Sequence, residues 1–256
     1  MRPRPTAGAQ TAFHDSSEYY DHPYLEHRRR NTAAIDRRCG DVFRRLSPFV
    51  DVGSIRGQRM LDIGCDIGQF VASAARQFGV SPMGIDVARE AVRQAKTLDV
   101  EAYACTLEDA PSALSDLPLI TAIDLIEHVA DPANFCRAIV ERLRPGGVLY
   151  VETPNVWSIV YQFGRALGSV TGGWPEQTLV RLFPPEHLQY FSREGLHRLA
   201  ARTGLELMRQ SSRVLPSAEI AVDTTTRVGL GALQLFDYFS GEKILRWAVL
   251  RRPRCV

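Results

Sequence analysis

Short apolar runs alternate along this chain with stretches of helical periodicity. Leu61 and Ile63 mark a buried strand over 59–63, closed by a turn between Gly64 and Gly68. Phe70, Val71, Ala74, Ala75 and Phe78 then form the apolar stripe of a helix. The rhythm repeats: 83–86 reads as a second strand ending at Asp86, 87–98 as a helix, 100–104 as a third strand and 117–124 as a fourth. Asp131-Pro132 starts the next helix, with aspartate as cap and proline at the first helical position. Phe135, Ala138, Ile139 and Leu143 give that helix an inner face until Pro145-Gly146-Gly147 stops it. Residues 148–151 form a fifth strand, Ser192 caps a helix over 194–202 that ends at Gly204, and 205–208 form a sixth strand. Residues 227–239 read as one more helix, and 243–250 as a last, antiparallel strand, with a basic amphipathic membrane tail as the rival reading. Strands alternating with helices predict an α/β fold: a doubly wound, Rossmann-like, mostly parallel sheet with one antiparallel C-terminal strand.

Three stretches fall outside this rhythm. Residues 1–15 carry Pro, Gly, Thr and Ala without periodicity and are expected to be a flexible N-terminus. A charged helix follows the Tyr19-Tyr20 pair, with Ala34, Ile35, Cys39, Val42, Phe43 and Leu46 on its apolar side and most of its arginines expected on a solvated face. Residues 155–187 are rich in glycine, proline and aromatics, among them Trp157, Tyr161, Phe163, Trp174 and Phe183. A connection of that length inside a compact domain is usually functional, and its aromatics suit both the wall of an acceptor pocket and a small satellite core.

Composition adds mainly exclusions. The 256 residues are 45% hydrophobic and 23% charged, enough for one large domain with an inserted cap. A net charge of +2 is too balanced to argue for nucleic acid. No apolar run is long enough to span a membrane. Five cysteines without a CxxC pair fit a reduced, cytoplasmic setting.

The glycine turn carries the candidate chemistry. Gly64 and Gly68 allow a sharp bend and close approach of backbone to a ligand, and the helix behind them aims its N-terminal amides at the strand's carboxyl end. Asp86 follows at a spacing near the roughly 20 residues at which nucleotide-binding units place an acid on ribose hydroxyls. That predicts a ribose-bearing cofactor, either NAD or S-adenosylmethionine.

Asp62-x-Gly64-Cys65-x-x-Gly68, Asp86, the run from Asp124 to Pro132 (Asp-Leu-Ile-Glu-His-Val-x-Asp-Pro), and Leu143-Arg144-Pro145-Gly146-Gly147-Val148-Leu149 together resemble the motifs of class I S-adenosylmethionine-dependent methyltransferases, in order and spacing, over roughly residues 40–212. The resemblance implies one methyltransferase domain over 16–256, with N-terminal lid helices over 16–50 and a substrate cap over 155–187. It implies S-adenosylmethionine as cofactor, held by Asp62, Gly64, Cys65, Asp66, Gly68, Asp86, Val87, Thr106, Leu107, Glu108 and Asp124. Leu107 and Glu108 stand where the family cradles the adenine. Tyr20 stands in the segment that closes over the site. Asp66 replaces the family's usual glycine; aspartate tolerates left-handed backbone better than most residues.

Methyl transfer needs an acceptor atom held in line with the methyl and, for a hydroxyl, a base. His187 and His128 are the candidate bases. Tyr20, Glu127, Trp157, Tyr161, Trp174 and Tyr190 are the candidate acceptor-side residues. Asp124, Glu127 and His128 share one face if a helical turn begins at Asp124, and they resemble the acid-x-x-Glu-His metal motif of ubiquinone-pathway O-methyltransferases; the expected reaction nonetheless uses no metal. The resemblance points to a small-molecule acceptor, most simply a hydroxyl of a sugar, polyketide or other secondary metabolite. No nucleic acid and no membrane span are expected, and a monomer or homodimer suffices. A cofactor-binding pseudoenzyme disabled by Asp66 remains open at this point. So does an NAD-dependent oxidoreductase, although Asp131-Pro132 and Pro145-Gly146-Gly147 argue against it.

Overall fold

The computed structural model describes residues 32–171, 183–215 and 241–254. The N-terminal stretch 1–15, Tyr20, Trp174 and the helix expected over 227–239 lie outside them. The first described element is helix α1 (Thr32–Leu46), followed by β1 (Arg59–Ile63), α2 (Gln69–Phe78), β2 (Ser81–Asp86), α3 (Arg89–Lys96) and β3 (Glu101–Ala104). Then come β4 (Leu117–Ile123), a short 3₁₀ turn (Ile126–His128), α4 (Pro132–Arg142), β5 (Leu143–Pro154), α5 (Ile159–Thr171), α6 (Arg193–Thr203), β6 (Glu206–Arg213) and β7 (Leu245–Arg251).

The seven strands pair in the order β3-β2-β1-β4-β5-β7-β6. Strands β1 to β5 run parallel to one another, and β7 lies antiparallel between β5 and β6. The order reverses between β1 and β4, and the crevice outside the carboxyl ends of those two strands is where doubly wound sheets receive ligands. Residues 245–251 sit inside the sheet as β7, which removes the membrane-tail reading of that segment.

Strand alternation splits the core into two layers. Leu61, Ile63, Leu149, Val151, Ala248 and Leu250 face α4 and α6. Met60, Val148, Tyr150, Trp247 and Val249 face α1, α2 and α3. The helix ends follow the expected local chemistry. Asp131 Oδ1 accepts the Asn134 N–H at 2.9 Å, Ser192 Oγ accepts that of Gly195 at 3.0 Å, and Gly204 ends α6 at φ 73°.

Three expectations need correction. Pro145-Gly146-Gly147 does not merely stop a helix: β5 begins already at Leu143 and bulges through this segment before rejoining β4 at Val148. The stretch 155–187 is not a continuous irregular loop, because 13 of its residues form α5. And α1 turns only half of its four described arginines to solvent, not most of them. Arg37 and Arg44 are exposed, but Arg38 and Arg45, two turns apart on one face, reach inward.

One arginine holds the loop after β3. The Arg142 guanidinium donates to the carbonyls of Leu107 (2.7 Å), Ala110 (3.0 Å), Pro111 (3.0 Å) and Leu114 (3.2 Å). Arg142→Leu leaves those carbonyls without their cationic partner and is expected to cost about 2 kcal/mol, the scale of hydrogen bonds to a charged group, read as a lower midpoint in urea unfolding.

Candidate functional site

The turn after β1 is built as the glycine pattern demands. Gly64 and Gly68 both sit at positive φ, 72° and 75°. A Cβ on Gly68 would lie 2.7 Å from that of Ala95, so this glycine lets α2 and α3 meet. Asp66 takes φ 50°, the left-handed backbone its glycine counterpart would supply, and the turn survives the replacement. Its N–H donates to Asp86 Oδ2 at 2.9 Å, and Asp86 Oδ1 accepts the Ala88 N–H at 2.9 Å. Asp86 therefore ties the glycine turn to the end of β2, and a carboxylate's four lone-pair sites leave it capacity for a ribose hydroxyl.

Acidic groups gather around this crevice. Asp62 is buried and accepts the Thr121 hydroxyl at 2.6 Å. Burial pushes its carboxyl up to about 7, and the neighbouring Asp86 and Asp66 add to the rise, against the Thr121 hydrogen bond and Arg38. Asp86 is also raised, again by burial first. Crowded, desolvated carboxylates suit a cationic ligand, and S-adenosylmethionine carries both a sulfonium and an ammonium. Gln69 Oε1, at the first turn of α2, is buried without a hydrogen-bond partner among the described residues. Val87, beyond Asp86, leaves an apolar side chain 43% exposed, as an adenine face would require. The residues present fit this cofactor.

Several expected contacts change character. Cys65 is buried with its sulfur against Gly84, where a Cβ would come within 2.5 Å, so only its backbone is left to face a ligand. Leu107 is likewise a core residue, packed in the layer with Ala110 and Leu114, and offers only its main chain. Glu108 and Thr106 are exposed, with Thr106 Oγ1 donating to Asp109 at 2.9 Å. Asp124 does not begin a helical turn. It sits at φ 53° with its carboxylate on Arg38 at 2.7 Å, and the 3₁₀ turn starts two residues later. The expected cluster of Asp124, Glu127 and His128 is thereby replaced by another.

That other cluster is Glu127, His128 and His187, with one ligand atom from each lying within 4.8 Å of the others. The segment carrying His187 is docked on the turn: Leu188 N–H donates to the Glu127 carbonyl at 2.9 Å, and His128 Nδ1 lies 3.1 Å from the Glu186 carbonyl. The two imidazoles meet edge to face, centroids 4.7 Å apart. Glu127 is buried and accepts the Thr153 hydroxyl at 2.8 Å. Burial, then the Asp124 carboxylate, raises its carboxyl well above the usual range. Burial lowers His128, and it lowers His187 to about 4, with His128 adding to that fall. Both rings therefore stay neutral at pH 7. His187 Nδ1 is buried with no hydrogen-bond partner among the described residues.

Of the aromatic candidates, Tyr161 is buried and packs with Phe183 and Tyr190, each pair of rings 5.5 to 5.8 Å apart. This is the satellite core, and Tyr190 links it to His187 at 5.5 Å. Trp157 remains 57% exposed.

Because His187 is held neutral, the folded chain binds fewer protons than the unfolded one between pH 6.5 and about 4. Its contribution to stability is present above 6.5 and lost as pH falls through about 4. The Tm of His187→Gln is expected to drop less over that acid window than that of the wild type, by calorimetry.

The largest feature missing from the sequence reading is a buried carboxylate with three arginines. Glu152 is fully buried at the end of β5; its Oε1 accepts from Arg38 (2.5 Å) and Arg213 (2.6 Å), and its Oε2 from Arg45 (3.4 Å) and the Tyr150 hydroxyl (2.9 Å). Burial alone would push its carboxyl up, but Arg38 and Arg213 hold it well below the usual range. The signal was present: a glutamate ending an apolar strand must find cations inside.

Residues 24–210 match the family described as "Methyltransferase domain". The ubiquinone biosynthesis O-methyltransferase of Aeromonas salmonicida is 30% identical over 172 residues, 63% of this chain and 68% of that protein. Its counterpart from Bordetella avium is 32% identical over 110 residues, 40% of this chain and 45% of the relative. Among solved structures, magnesium protoporphyrin IX methyltransferase from Synechocystis with bound S-adenosylhomocysteine superposes with a TM-score of 0.59 at 12% identity, covering 92% of this chain and 97% of the other. A Haemonchus contortus phosphoethanolamine N-methyltransferase in complex with S-adenosylmethionine gives 0.54 at 17% identity, covering 78% and 49%.

Proposed function

Because this chain belongs to the class I S-adenosylmethionine-dependent methyltransferases and takes S-adenosylmethionine as its cofactor, we propose that it methylates a hydroxyl of a small organic acceptor. The family assignment sets aside the oxidoreductase and pseudoenzyme readings. The observation that carries the hydroxyl reading is His187 Nδ1, a buried imidazole nitrogen with no partner among the described residues. A buried polar atom without a partner costs free energy unless something fills the position, and an acceptor hydroxyl does so.

The bound cofactor would supply an activated methyl group, its sulfur leaving as a neutral thioether. The chain's residues do the rest. Asp86 and the turn at Gly64 hold the adenosyl end, and Glu108 lies at the adenine loop. The neutral His187 ring is placed to take the proton of the acceptor hydroxyl. The nearby acids Asp124 and Glu186 favour the imidazolium that forms. The aromatic group of Tyr161, Phe183 and Tyr190 stiffens the wall that carries His187, and exposed Trp157 offers the acceptor an apolar face. A sugar, a polyketide or a related secondary metabolite fits this reading, as does the O-methyl transfer in ubiquinone biosynthesis for which the relatives are named. The site residues lie in one domain with its cap over 155–187, and the cytoplasm, where the cofactor is made, is the compartment proposed.

Incubation with S-adenosylmethionine and a panel of hydroxylated and amine acceptors, read by product mass, tests the proposal. Methylation of hydroxyl acceptors supports it; methylation of amines alone overturns it.

A second reading rests on Glu127, His128 and His187 as a cluster. Two neutral imidazoles and a carboxyl whose ionisation burial holds back form a set that a divalent cation would complete. Dialysis against chelator separates the readings: activity is expected to persist if His187 is the base, and to vanish and return with added metal if the cluster holds an ion.

A further inference from the structure

Arg38 does two things with one nitrogen. Its Nη2 donates to Glu152 Oε1 at 2.5 Å and to Asp124 Oδ2 at 2.7 Å. Arg213 and Arg45 also bind Glu152, with Arg213 donating in addition to the Val214 carbonyl and Arg45 to the Tyr150 hydroxyl. Asp124 is held from both ends by the same residue, since its own N–H donates to the Glu152 carbonyl at 2.8 Å. Its left-handed backbone, φ 53°, is a conformation that costs a non-glycine residue energy and persists only where the surroundings fix it. Directly behind it, Leu125 lies against Gly64, and Ile126–His128 carries Glu127 and His128 to His187.

We propose that Arg38 is a positioning residue: anchored on the buried Glu152, it fixes Asp124 in its strained conformation and so sets the distance of Glu127 and His128 from His187 and from the cofactor turn. The anchor is rigid because Glu152 is fully buried on a central strand and held by four donors. Asp124, at the other end of the link, has 42% of its side chain exposed, so it needs the tie. This couples α1, the helix preceding the first strand, to the acceptor side of the crevice. The inference rests on the reading of that side given above.

Arg38→Met and Arg213→Met provide the test. Each removes one guanidinium from Glu152 Oε1, and the two side chains are similarly buried, 12% and 10% exposed. A merely structural role predicts equal losses of stability and of activity. Positioning predicts that the two melt alike, while at saturating cofactor Arg38→Met lowers kcat by about tenfold to a hundredfold and Arg213→Met by less than about twofold, as small misplacements of reacting groups do. Equal kcat losses overturn the inference, as does a change confined to the cofactor KM. Should Arg38→Met fail to fold, Arg38→Gln keeps a donor at Glu152 but is too short to span to Asp124 as well, and is expected to lower kcat with cofactor affinity unchanged; full activity there is equally fatal. If His187→Ala is inactive while both link variants stay active, only this inference fails. If His187→Ala is itself fully active, the underlying reading fails first.

Discussion

Replacing His187 with alanine is expected to lower kcat by about 10²- to 10⁴-fold, the usual contribution of a general base, with the cofactor Kd unchanged. The split between the two constants matters. His187 lies on the segment docked against the turn after β4, the proposed acceptor side, whereas the turn proposed to hold the adenosyl end lies at the ends of β1 and β2. Its nitrogen is free for a proton at neutral pH because burial lowers the ring to about 4. Single-turnover rates with saturating S-adenosylmethionine, alongside calorimetric Kd values, read both quantities. Full activity would remove His187 as the base.

Asp86→Ala is expected to act at the other end of the crevice. Loss of charged hydrogen bonds to the ribose costs about 1–3 kcal/mol of cofactor binding, roughly fivefold to 150-fold in Kd. Asp86 also secures Asp66 and Ala88 through their backbone N–H groups, so the variant loosens the turn itself. Asp86→Asn keeps one acceptor oxygen in the same volume but turns the other into a donor NH2, and is expected to fall between the wild type and Asp86→Ala. An unchanged Kd for Asp86→Ala would contradict the ribose assignment.

The fold was legible because strands buried on both faces leave continuous apolar runs, and caps such as Asp131 and Ser192 announce helix starts through local hydrogen bonds. The cofactor end was legible for a similar reason: Gly64, Gly68 and Asp86 are dictated by backbone geometry within a short stretch of chain. The acceptor end was not. His187 meets His128 only because a distant segment folds back on the turn, a contact with no sequence period. Periodicity was no guide at Asp124 either, where a helical turn was one possibility and a left-handed residue stands instead. The arginines of α1 looked like a solvated face because charge on a helix is usually exposed; the buried partner, Glu152, lies 114 positions away from Arg38.

The central claim is that the turn after β1, with Asp86, binds S-adenosylmethionine. Calorimetric titration of the full chain with S-adenosylmethionine tests it most directly. The account predicts saturable heat at one site per chain, weakened in Asp86→Ala; absence of heat up to millimolar ligand would contradict it.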